Sequence, residues 1–252
     1  MTDKKKQVSK MKKDLPQLPL FYKKAIPLNK DTHSELFIEP IDNFLYTKGT
    51  NSIYIAAIEF LKAAKEYPIV FAVGGDNNIF PVVLLGIDNN SNLFINKKGE
   101  WDANYIPAYV RRYPFILASE NNQKFTVCID ETYPGFNTSQ KGKPLFNKKG
   151  EYEKILSQAV DFLQDYQNHV QLTTLFCNNL QTLGLLESMQ ANYTKASGEN
   201  QLLGGFLGIN REKLKALAPE KLAELVKSDQ MELIYAHLAS MENLNKLIRK
   251  KK

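Results

Sequence analysis

Apolar positions change their rhythm near the middle of the chain. Before Glu151 they fall in short runs divided by Gly, Asn and Asp clusters; after it they recur every three to four residues. Residues 36–38, 69–73, 82–87, 93–95, 115–119 and 125–129 read as strands. The cluster Gly74-Gly75-Asp76-Asn77-Asn78 and the cluster Asp88-Asn89-Asn90-Ser91 read as tight turns, which makes the three strands they join antiparallel. Residues 120–124 close a further hairpin. Between the first strands, Ile53, Ala57, Phe60, Leu61 and Ala64 have helical spacing, ended by Tyr67-Pro68. In the second half Tyr152, Ile155, Leu156, Ala159, Phe162, Leu163 and Tyr166 form one helical stripe, continued by Leu172, Leu175, Phe176, Leu180, Leu183 and Leu186. A polar loop over 192–200 and one strand over 202–209 follow. Asn210 then caps a helix, Pro219 opens the next, and 231–248 closes the chain with Ile234, Leu238, Met241, Leu244 and Ile248 inward. No internal repeat stands out.

The pattern predicts an α+β fold, a mainly antiparallel sheet of five to six strands with packed helices and a C-terminal helical portion. It divides the chain into a disordered basic tail over 1–13, a sheet portion over 14–149, a helical portion over 150–248 on the same core, and a basic tail over 249–252. The proline- and glycine-bearing stretch 133–149 is the one loop long enough to separate the two portions.

The densest chemistry lies in Tyr105-Ile106-Pro107-Ala108-Tyr109-Val110-Arg111-Arg112-Tyr113-Pro114-Phe115. Asp102 or Asn104 is placed to cap a helix with Pro107 in its first turn, and Pro114 ends it after about two turns, about 12 Å. Ile106 and Val110 share the inward face. Tyr105, Tyr109 and Arg112 share a second face, where a guanidinium lies against phenol rings, while Arg111 faces water. Arg112 is therefore expected to be the more buried arginine. Asp130-Glu131 ends the last strand of the sheet portion and has three readings: chemistry, a return to water, or an ion pair with Arg111 or Arg112, which is preferred. Glu59, flanked by bulky residues, reads first as an edge carboxylate paired with a lysine and second as catalytic.

Composition narrows the rest. The 252 residues, 43% of them hydrophobic, suffice for one sizeable core, and no run approaches eighteen apolar residues. The lysine-rich start leads into no apolar segment, so a secretory signal is not expected and the cytoplasm is the default. Cys128 and Cys177 sit among apolar residues as small buried side chains. The net charge of +6 belongs to the ends: six lysines and one aspartate in 1–13, with Arg249 and three lysines at the other end, carry +9 and leave the body at −3. A nucleic-acid binder would carry its basic stripe on the folded body. His33, His169 and His237 lie far apart, with no pair at i, i+4, so no metal site is expected; His237 reads as a hydrogen-bonded histidine at the core edge. No GxSxG or phosphate-loop pattern is present, neither cysteine has an evident base, and no cofactor is expected.

The runs Tyr67-Pro68-Ile69-Val70-Phe71 and Asn92-Leu93-Phe94-Ile95, the spacing Gly99-Glu100-Trp101, and the arginine stretch resemble the bacterial SapC family. So do Pro144-Leu145-Phe146-Asn147-Lys148-Lys149-Gly150-Glu151, Gly205-Phe206-Leu207-Gly208-Ile209-Asn210, and Ile234-Tyr235-Ala236-His237-Leu238-Ala239-Ser240; the resemblance spans about residues 27–248. It implies an association with surface-layer loci, where the family is named, or with peptide-modifying genes, and it supplies no catalytic residues to carry over. Two functions follow. One is a non-enzymatic accessory protein binding a polypeptide, a surface-layer protein or peptide substrate, through Trp101, Tyr105, Tyr109, Arg111, Arg112 and Tyr113, with surface association implied by the family. The other is a peptide-modifying enzyme or subunit in which Arg111 or Arg112 holds a substrate carboxylate and Glu100, Asp130 or Glu131 acts as acid or base. A third, structural reading has Arg112 and its tyrosines merely clamping the helix.

Overall fold

The computed structural model describes residues 18–120, 124–194 and 200–251. The basic stretch 1–13 lies outside them. In chain order the elements begin with β1 (Ala25–Pro27), α1 (Lys30–His33), β2 (Phe37–Ile38), β3 (Ser52–Tyr54), α2 (Phe60–Ala63), β4 (Ile69–Val73) and β5 (Ile79–Leu84). Next come α3 (Ala108–Arg111), β6 (Phe115–Glu120), β7 (Lys124–Asp130), β8 (Phe136–Asn137), β9 (Lys143–Pro144) and α4 (Lys154–Thr182). The chain ends with β10 (Leu186–Thr194), β11 (Asn200–Ile209), α5 (Arg211–Lys215), α6 (Pro219–Lys227), α7 (Gln230–Ser240) and α8 (Asn243–Lys250). The fold is α+β, and its paired strands are antiparallel. No helix among the described residues is long and apolar enough to cross a membrane.

Contacts group the chain into two interleaved units, Met1–Pro40 with Pro114–Leu156, and Ile41–Tyr113 with Ser157–Lys252. The change of periodicity, by contrast, marks a single cut near residue 149. In the first unit the β6–β7 hairpin, in register from Phe115↔Ile129 to Glu120↔Lys124, takes β1 on the far side of β7. A second small sheet sets β2 between β8 and β9, so the stretch expected as a long loop is held on both edges of one strand. Gly142 is required there: its φ is +80°, and a Cβ would stand 2.2 Å from the Ile38 carbonyl oxygen.

The second unit holds a five-stranded sheet in the order β10-β11-β4-β5-β3. Ile53 and Tyr54, expected to start a helix, pair with β5 instead as part of β3, and the helical turns begin at Ala57. Residues 93–95, expected as a strand, contribute only an isolated bridge from Ile95 to Trp101. Leu186 does not continue the α4 stripe. Gly184, at φ +64°, ends that helix with the Leu185 N–H on the Leu180 carbonyl (3.1 Å), and both leucines are buried. The chain then turns back as β10, which with β11 extends the sheet.

His237 on α7 joins strands rather than loops. Leu207 pairs with Phe71, so the next antiparallel pair would be Ile209 with Ile69. The imidazole stands in that place: the Ile209 N–H donates to Nε2 (3.0 Å) and Nδ1 bonds the Ile69 carbonyl (2.8 Å). Those partners define the neutral tautomer, with the proton on Nδ1. Ser240 completes the link, accepting from the Ile69 N–H (3.0 Å) and donating to the His237 carbonyl (2.6 Å). Both side chains are fully buried.

A short repeat does exist. Asn-Lys-Lys-Gly-Glu followed by an aromatic residue occurs at 96–101 and again at 147–152. Each copy folds alike. Asn96 Oδ1 accepts from the Lys98 and Glu100 amides (2.9 and 3.0 Å), as Asn147 Oδ1 does from Lys149 and Glu151 (2.8 and 3.0 Å). The glycines share a left-handed φ, and a bridge closes each turn. Of the residues expected as a basic tail, Arg249 and Lys250 belong to α8, with Lys250 paired to Asp102 (2.5 Å) and Lys251 to Asp88 (2.6 Å).

Candidate functional site

Glu59 organises the arginine stretch. It ends the 3-10 turn Ala57–Glu59 and is 4% exposed. Its Oε2 accepts from the Ala56 N–H (2.9 Å); its Oε1 accepts from the Ala108 N–H (2.7 Å) and the Tyr105 hydroxyl (2.6 Å). A buried carboxylate is tolerable when such donors replace water. Ala108 is the first residue of α3, whose amides need an acceptor, so the helix is capped from 49 residues away in sequence. Neither expected cap serves: Asn104 donates its own N–H to Glu66 (3.0 and 2.9 Å), and Asp102 pairs with Lys250. The helix is also shorter than two turns, because Pro107 is extended at ψ 143°. Glu59 thus bonds two amides and a phenol in place of the lysine expected. Burial, reinforced by the Glu59 charge, pushes the Tyr105 phenol well above its ordinary pKa.

The two arginines separate as their helical angles require. Arg112 is half-buried, with its guanidinium 3.9 Å from the Tyr109 ring centre and 5.3 Å from that of Tyr166. Arg111 is exposed, its Nε donating to the Ile106 carbonyl (2.9 Å) and its guanidinium lying 5.1 Å from the Phe162 ring and 5.9 Å from that of Tyr105. Tyr113 stacks on Tyr46 at 4.5 Å. Trp101 donates its indole N–H to the Tyr67 hydroxyl (2.8 Å), which in turn donates to the Tyr105 carbonyl.

Beside Arg111 opens a cleft of about 230 Å³. Ile58, Glu59 and Lys62 line one side, Tyr105 and Arg111 another. The third side is a single face of α4, where Phe162, Asp165, Tyr166 and His169 follow the i, i+3, i+4, i+7 spacing. Of the binding residues expected from the sequence, Tyr105 and Arg111 line the cleft; Trp101, Tyr109, Arg112 and Tyr113 do not. The carboxylates expected as acid or base are likewise not among the residues lining the cleft. Glu100 holds the Asn96 side-chain amide (2.6 Å) within its turn, and Glu131 pairs with Lys24. Asp130 is buried in the first unit; burial raises its pKa, but bonds from the Lys23 and Lys24 amides and from Thr132 outweigh that and hold it below the usual carboxylate value. A wider trough of about 930 Å³ in the first unit runs past Glu35, Phe37, Pro144, Lys148 and Lys149.

Lys62, Asp165 and His169 were not singled out as site residues. For Asp165 and His169 the signal is present: two polar groups one turn apart on a stripe carrying Phe162 and Tyr166 mark a helix face that opens on something other than core, whereas nothing local marks Lys62. Among the described residues no group of three or more His, Cys, Asp and Glu is placed to hold a metal. No curated protein and no solved structure matches the chain. The SapC family model matches residues 28–247, nearly the whole described chain, and the protein belongs to the SapC family.

Proposed function

We propose that this SapC-family protein is an accessory protein that binds a polypeptide partner at the Arg111 cleft without transforming it, in the service of a bacterial surface-layer or peptide-modification system. The observation that carries the reading is Arg111 itself. It is exposed, braced on the Ile106 carbonyl, and laid over Phe162 at the edge of an aromatic-walled cleft. Arginine and aromatic side chains dominate protein-binding hot spots. Apolar surface adjoins it. Ile58 on the rim is 62% exposed, and Leu172, one turn beyond His169 on α4, is 59% exposed. Binding is favoured over catalysis because Glu59 is saturated by three donors, and Glu100, Asp130 and Glu131 are each engaged by other groups and do not line the cleft. Selection from a random peptide display library tests this. The wild-type protein is expected to enrich a consensus that Arg111→Ala loses while keeping its melting temperature. No enrichment over an unrelated control protein would overturn the reading, and covalent change of a selected peptide would establish the enzymatic alternative.

A further inference from the structure

Lys62, Asp165 and His169 line the cleft with side chains that have no hydrogen-bond or ion-pair partner among the described residues. Arg111 has no carboxylate partner there either, although its Nε is anchored on Ile106. This contrasts with Glu59 at the same cleft, whose charge already faces two amides and a phenol. Two cations, Arg111 and Lys62, therefore stand against one unengaged anion, Asp165. A guanidinium fixed through Nε on the Ile106 carbonyl, bonded to the Tyr105 phenol and laid against Phe162, is held rigidly and turns its remaining donor capacity to a carboxylate. The walls beside it, Phe162, Ile58 and the Tyr105 ring, are apolar or aromatic. The cleft, about 230 Å³, is of a size for a side chain and not for a folded segment.

We infer that the cleft reads a carboxylate joined to an apolar group on the bound polypeptide, with Arg111 and Lys62 receiving the carboxylate and Phe162 and Ile58 covering the apolar part. The inference rests on the polypeptide-binding reading above and adds the chemistry recognised. That chemistry has two sources: the C-terminal residue of a chain, or an acidic side chain beside an apolar one. Fluorescence polarisation with four labelled hexapeptides separates them: one ending in leucine as the free acid, the same peptide amidated, an amidated peptide with an internal Glu-Leu pair, and its Gln-Leu counterpart.

At least one carboxylate peptide is expected to bind about tenfold more tightly than its neutral counterpart, and which one identifies the source. The preference should weaken with salt and fall by about tenfold in Arg111→Gln, with a smaller loss in Lys62→Gln. Both side chains are exposed, so folding is expected to survive; circular dichroism checks it, and Lys62→Gln carries the test if Arg111→Gln does not fold. Equal affinity for acid and neutral peptides, or no effect of either substitution, overturns the inference. If display yields binders but none of the carboxylate peptides is preferred, the carboxylate reading falls alone. If display yields nothing, the polypeptide reading falls with it.

Discussion

Acidification from neutral pH toward 4 should loosen this protein at His237. His237 replaces a ladder pair between β4 and β11, and its Nε2 must stay unprotonated to accept the Ile209 N–H. Burial, the dominant cause, lowers its pKa from 6.5 to about 4, partly offset by the bond to Ile69. The folded pKa lies below the unfolded one, so between those values the unfolded chain holds a proton that the native state refuses. Stability is fully present above about 6.5 and is lost as pH falls toward 4. At 1.36 kcal/mol for each unit, the shift amounts to about 3 kcal/mol, a large part of a typical domain's margin. Urea titrations at pH values from about 7 to about 4.5 measure it. His237→Gln supplies the control, since a glutamine amide both donates and accepts but does not titrate. That variant should have a flatter pH profile than wild type and retain most of its stability at neutral pH. An identical pH slope in wild type and His237→Gln would refute the assignment.

Asp130 should act in a separate window: its lowered pKa stabilises the fold above 3.8 and is lost as pH falls through the depressed value, so Asp130→Asn should flatten the curve only at the acid end. Glu59→Ala strands two amides and the Tyr105 hydroxyl, and should cost about 3 kcal/mol or more in urea unfolding, against about 1–2 kcal/mol for Tyr105→Phe. Arg112→Ala should cost about 1–3 kcal/mol and Arg111→Ala little, because the first is half-buried against Tyr109 and the second is exposed; equal melting temperatures would contradict the packing. Deleting residues 1–13 should remove most retention on heparin. Deleting 249–252 should instead cost up to about 1 kcal/mol for each lost surface pair.

Local patterns were legible and distant partners were not. The β4–β5 and β6–β7 hairpins appear where short apolar runs flank polar clusters of the sequence, because both the signal and its cause lie within a dozen residues. The ranking of Arg112 over Arg111 followed from helical angles alone. The pairing of Tyr105 with Arg111 did not, because Pro107 holds Tyr105 outside the helix on which those angles were counted. Leu186 was misread because a leucine fits either period, although Gly184 beside it was the stop signal. Nothing near Glu59 in sequence shows that it caps a helix at Ala108, and nothing near His237 shows that it stands between Ile69 and Ile209, 168 and 28 residues away. The repeated Asn-Lys-Lys-Gly-Glu turn is legible in the sequence alone, since both copies carry identical residues at 96–100 and 147–151.

The polar side chains of the second unit divide by what they hold. Glu59, Asn92, Asn96, His237 and Asn243 each bond main-chain groups and replace pieces of missing secondary structure: a helix cap, a turn, a ladder rung, or the end of α2, where Asn243 donates to the Ala64 carbonyl at 2.7 Å. Removing any of them exposes backbone, so their effects should appear in stability. Lys62, Arg111, Asp165 and His169 hold almost none of the fold and stand together on one cleft. A solvated face would scatter such groups over the surface, whereas these share a concave wall with Phe162 and Tyr166. The separation is what makes the cleft a testable site. Substitutions at Arg111 and Lys62 should change affinity while leaving the unfolding curve in place, and substitutions at Glu59 should move both, because it anchors Tyr105 and the start of the helix that carries Arg111.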